Sequence, residues 1–125
     1  MKKLVYFEII DPVYKRFIYF AYGDPRAFEG FIRKKYSDKN YKLNDSAGAV
    51  SLTAPRKEFL DYWIFIKSES LKGRKAFWIA MVSHEALHTA VKILRDAGVE
   101  QTEGSEELTY YHEFIFRTCL EKLKV

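Results

Sequence analysis

From Lys75 to Gly98 the chain has no proline and no internal glycine, and this stretch constrains the fold more than any other. Ala76, Phe77, Trp78, Ile79, Ala80, Met81 and Val82 are apolar on every side of a helix. Ala86, Leu87, Ala90, Val91, Ile93, Leu94 and Ala97 then continue at helical spacing. Lys92 and Arg95 fall in the last turns, where cations suit the helix dipole, and Gly98 is a good C-terminal stop. The pattern predicts one long helix whose first half is buried. Such a helix needs a sheet or other helices to cover it.

Within it, His84, Glu85 and His88 form an H-E-x-x-H pattern that uses two of the chain's three histidines. Residues four apart lie one above the other on a helix face, so both imidazoles can reach one metal ion. Glu85, one residue along, can touch a water on that ion. Two His, a further protein ligand and a water make the usual hydrolytic zinc arrangement. Histidines in a buried segment are normally hydrogen-bonded or metal-bound. The plain alternative is a pair of His on a solvated face.

A chain of 125 residues is long enough for one domain with an ordinary core, spanning 1–125. With 48% apolar and 17% aromatic residues it is not a disordered segment. Residues 1–75 carry 16 Lys and Arg against 9 Asp and Glu, whereas residues 76–125 carry 5 against 8. The basic half makes nucleic acid a conceivable partner, but no recognised binding motif accompanies the charge, so this reading is not favoured. The densest run, Arg33, Lys34 and Lys35, sits at a helix end where cations are ordinary. One cysteine, Cys119, excludes an intramolecular disulfide framework and reads as core. Glu8 and Asp11 interrupt the N-terminal apolar run, so no signal peptide is expected, and no run is long enough to span a membrane. The expected compartment is the cytoplasm.

The order of elements reads as α+β, β-β-α-β-β-α-α, with a small, mostly antiparallel sheet of about four strands and three helices. Leu4–Ile10 and Tyr14–Tyr22 are strands flanking a turn at Asp11-Pro12. Asp24 caps a helix with Pro25 at its first position and Phe28, Phe31, Ile32 and Tyr36 along its buried stripe. Ser37–Ser46 is a polar loop. Ala49–Thr53 is a short strand broken at Pro55, and Phe59–Ile66 is the strongest strand. Ser68–Gly73 is a polar turn, and Ser105–Lys124 is the last helix. The Tyr62–Ile66 strand is a candidate edge along which an extended peptide could lie.

A third metal ligand is expected downstream of His88. Glu106 and Glu107 open the last helix, and Glu103 and Glu113 are further candidates. Acidic residues in a first turn are also common for the helix dipole alone. The run S-H-E-A-L-H-T-A-V-K-I-L, a glycine, and E-E-L-T-Y-Y on a second helix resembles the zincin metallopeptidase superfamily. It is similar to small phage and prophage proteins carrying an H-E-x-x-H helix and a glutamate helix of pattern E-x-x-x-Y. The resemblance covers about residues 74–120 and implies a minimal zincin-like domain of the glutamate type. It implies Zn²⁺ held by His84, His88 and Glu106, with Glu107 as runner-up, and Glu85 as general base. The implied activity is hydrolysis of a peptide or amide bond in a peptide or protein substrate by a metal-activated water. Tyr110, with Tyr111 and His112 beside it, is a candidate donor to the oxyanion. The third downstream His of the metzincin pattern is missing. Two rival readings stand beside this one. They are a phage-type protein-binding module with a structural or relic metal site, and a basic DNA-associated peptidase-like domain.

Overall fold

The computed structural model describes residues 3–44, 46–99 and 106–124. Its elements are β1 (Leu4–Ile10), β2 (Phe17–Gly23), α1 (Pro25–Lys35), β3 (Ala49–Arg56), β4 (Phe59–Lys67), α2 (Ser68–Leu71), α3 (Lys75–Asp96) and α4 (Glu106–Lys122). The α+β reading and the order of the major elements hold, with one helix more than expected. Ser68–Leu71 forms the single helical turn α2 instead of a plain polar turn.

Asp11 explains where β2 starts. Its Oδ1 accepts from the backbone N–H groups of Val13 and Tyr14, and its Oδ2 from that of Arg16. Residues 11–16 therefore form a carboxylate-organised turn, and pairing begins at Phe17 instead of Tyr14. The Tyr111 hydroxyl donates to Asp11 Oδ2 at 2.7 Å, which fastens this turn to α4.

Four strands form one mixed sheet in the order β1-β2-β4-β3. The two hairpin pairings, β1 with β2 and β3 with β4, are antiparallel, while β2 and β4 run parallel. A parallel neighbour requires a crossover connection, and α1, its following loop and β3 together supply it, with β3 returning the chain to the end of the sheet where β4 begins. Pro55 does not end β3. That strand lies at the sheet edge, where a residue without an N–H is tolerated, and it pairs through Arg56. The Tyr62–Ile66 segment is correspondingly not an edge, because β4 is flanked by β2 and β3.

The central position of β4 accounts for its continuous apolar run. Tyr62, Ile64 and Ile66 face one layer, with Val82, Ala86, Ala90, Ile93 and Leu94 of α3 and Ile115 and Cys119 of α4. Trp63 and Phe65 face the other, with Phe28 and Ile32 of α1 and Leu43. Phe28 stacks on Phe65 at 4.3 Å between ring centroids, and Tyr19 stacks on Trp63 at 4.5 Å. Burial pushes the Cys119 thiol pKa up, as befits a core residue. Among the described residues no helix is long and apolar enough to cross a membrane.

Helix α1 starts as its sequence dictates, with Asp24 accepting from the Ala27 N–H and Pro25 at the first turn. Its one buried carboxylate, Glu29, accepts from the Leu43 N–H at 2.9 Å and lies 3.3 Å from Arg33 and 3.7 Å from Arg26. The Leu43 hydrogen bond, helped by Arg33 and Arg26, holds the carboxyl below its usual pKa against the opposing effect of burial. A depressed folded-state pKa adds stability above the unfolded-state value, about 4.3, and that stability is lost as pH falls through the folded value. Glu29→Gln is therefore expected to be less stable than wild type at pH 7, with the gap closing below about pH 4. Urea unfolding at both pH values checks this, and a gap independent of pH would contradict it.

Candidate metal centre

Helix α3 spans Lys75–Asp96 without a break, so the motif lies on a helix as expected. Its C-terminal end is closed by the Val99 N–H on Leu94 O and the Gly98 N–H on Arg95 O, with Gly98 at φ +79°. Its packing differs from the sequence expectation. Trp78 and Val82 are buried, but Ala76, Phe77 and Ala80 are exposed, Phe77 by 58%. His84 and His88 are exposed as well, on the side of α3 opposite Ala86 and Ala90, which face the sheet. Burial therefore does not force these histidines to find a ligand, and the case for a metal rests on their mutual geometry.

That geometry is specific. The two Nε2 atoms stand 2.9 Å apart, with ring centroids at 4.4 Å and planes at 87°. The two nitrogens are within hydrogen-bond distance, with the donor and acceptor roles set by the ring tautomers. Zinc binds imidazole nitrogen at about 2.0–2.1 Å, so two such ligands at a tetrahedral angle stand roughly 3.3 Å apart. A small rotation of either ring covers the difference. The Nε2 donors are borderline-soft nitrogens of the kind zinc prefers. The spacing of the pair is therefore close to what a shared ion would require.

Glu85 occupies the flank of α3 next to the sheet edge. It lines a groove of about 320 Å³ together with His84, Phe77, Ala80 and Met81 of α3 and Gly48 and Ala49 at the start of β3. The Ser70 hydroxyl and the Lys67 N–H both donate to Gly48 O, fixing that end of the strand. The backbone of Glu85 is occupied, its carbonyl accepting from Thr89 Oγ1 at 2.9 Å. The carboxylate acts at longer range on Lys92, and Lys92 Nζ donates to Ser51 Oγ of β3 at 3.4 Å. Lys92 reads in the sequence only as a helix-end cation. Its spacing of two turns from Glu85 was the available sign that both share a flank. Pro55 was the sign that β3, not β4, is the open edge.

The other expected site residues are not gathered here. Glu106 and Glu107 are both exposed in the first turn of α4. Ser83 O lies 3.0 Å from His112 Nε2, which fixes the register of the α3–α4 contact and sets that first turn roughly level with His88. Glu107 lines a separate groove with Pro12, Val13 and Tyr14. Tyr110 lines that same groove and is 67% exposed, away from Glu85 and His84. Tyr111 is spent on Asp11 and His112 on Ser83. Glu113 pairs with Arg117 one turn on, and Glu103 lies outside the described residues. Among the described residues no three His, Cys, Asp or Glu side chains converge on one point. The pair of histidines and the neighbouring Glu85 groove are what the fold assembles. Compared with known proteins, the chain matches no family model, no curated protein and no solved structure.

Proposed function

We propose that this protein is a zinc-dependent hydrolase of peptide bonds, with the ion held by His84 and His88. The observation carrying the proposal is the approach of the two Nε2 atoms to 2.9 Å beside a groove that contains Glu85. Glu106 is the proposed third ligand, from the turn of α4 level with His88. Bound zinc would supply a Lewis acid that lowers the pKa of water and stabilises negative charge on a carbonyl oxygen.

The chain's own part follows from its residues. An extended peptide adds to the free edge of β3, its main chain hydrogen-bonding to that strand and its side chains alternating outward and toward α3. The Glu85 carboxylate takes a proton from the attacking water as its oxygen bonds to the carbonyl carbon. The same carboxyl then delivers that proton to the departing nitrogen as the C–N bond breaks. The partner is a peptide or protein substrate, and the proposed compartment is the cytoplasm, consistent with the single buried thiol.

Exposed Ile10, Val13 and Tyr110 around the Pro12–Tyr14 groove favour a second reading, a protein-binding module in which the metal site is structural. Metal removal separates the two. Zinc-loaded protein is expected to cleave an unfolded protein such as reduced casein, to stop on addition of 1,10-phenanthroline, and to resume when zinc is restored. Cleavage that ignores the chelator would contradict the hydrolase reading. Zinc bound without cleavage of any substrate would favour the binding module.

A further inference from the structure

Lys92 is half-buried on the flank of α3 that emerges under β3. Its ammonium has a neutral partner, the Ser51 hydroxyl at 3.4 Å. Among the described residues no carboxylate lies within ion-pair distance of it. Glu85 and Asp96 act on it from further away, and Arg95 opposes them. Burial pushes its pKa below the usual lysine value, as expected for a cation drawn out of water without a contact anion. A charge held this way gains when a carboxylate reaches it.

The position of Lys92 says where that carboxylate would come from. Seven helical residues separate it from Glu85, about 10 Å along the axis. An extended peptide covers that distance in about three residues. Ser51 lies on the same strand as Ala49, whose neighbourhood forms the Glu85 groove, and faces the same helix. A strand laid along the β3 edge past Glu85 therefore runs on toward Lys92.

We propose that Lys92 is a specificity-determining residue, pairing with a carboxylate that the bound peptide carries about three residues from the bond at Glu85. The proposal rests on the peptide-hydrolase reading and narrows its substrate class to acidic peptides. The shared chemistry is a carboxylate, from an Asp or Glu side chain or from the peptide's own C-terminus.

The test uses full-length, zinc-loaded Glu85→Gln protein, so that bound peptides stay intact. It is offered a random octapeptide pool with either free or amidated C-termini, and captured peptides are read by mass spectrometry. Expected is an enrichment of about tenfold for Asp and Glu at one position, or for free over amidated ends, which tells the two sources apart. The preference should vanish in Lys92→Gln, survive in Lys92→Arg and turn toward Lys and Arg in Lys92→Glu. Peptide capture without any acid preference overturns the proposal and leaves the hydrolase reading standing. A preference that persists in Lys92→Glu does the same. Capture of no peptide at all overturns both.

Discussion

Glu85→Gln is expected to lower peptide cleavage by about 10²–10⁴-fold while zinc stays bound. The substitution keeps the size and shape of the side chain, and it removes the negative charge and with it the ability to take a proton at neutral pH. The fold has little reason to respond. Glu85 is partly exposed, its side chain is in no ion pair among the described residues, and its structural bond to Thr89 runs through the backbone carbonyl. Loss of the carboxylate also removes a long-range attraction on Lys92, so a modest change in peptide affinity accompanies the loss of rate. Rates with casein, together with zinc content for both proteins, check the expectation. Cleavage by Glu85→Gln at the wild-type rate would remove Glu85 from the chemistry.

Much of the fold was legible because local signals agreed. Asp24-Pro25 announced the start of α1, Gly98 the end of α3, and the apolar run at Phe59–Ile66 a strand, although its central place in the sheet was not read from it. Misreadings came from places where tertiary position overrides the local signal. Pro55 reads as a strand break, yet an edge strand has no inward N–H to lose there. The parallel pairing of β2 with β4 depends on how α1, its loop and β3 together return the chain, which no local window contains. The motif helix was expected to be buried over its first half because its residues there are all apolar. The sheet and α4 cover one side of α3 through Trp78, Val82, Ala86 and Ala90, so Phe77 and Ala80 reach solvent, as do both histidines further along. In the candidate site, the H-E-x-x-H spacing already contained the His pair and the adjacent Glu85. Which α4 side chain faces the pair was not legible, because it depends on the rotation of α4 about its own axis. That rotation is set by core contacts of Tyr111, Ile115 and Cys119 and by the His112–Ser83 contact.

His84→Ala and His88→Ala are each expected to weaken zinc binding by more than about 100-fold, beyond the 10–100-fold that loss of an outer-shell partner typically costs. Either substitution leaves a lone imidazole on an exposed helix face, and the 2.9 Å approach of the two Nε2 atoms disappears. Alanine is the best helix former and neither imidazole packs in the core, so both variants should fold. Their effects should not add, because the pair acts as one chelating unit. A zinc titration against a chromophoric chelator for wild type, His84→Ala, His88→Ala and the double variant measures this directly. One tightly bound zinc is expected in wild type and none competing with the chelator in any variant. Equal zinc affinity in wild type and His84→Ala would contradict it.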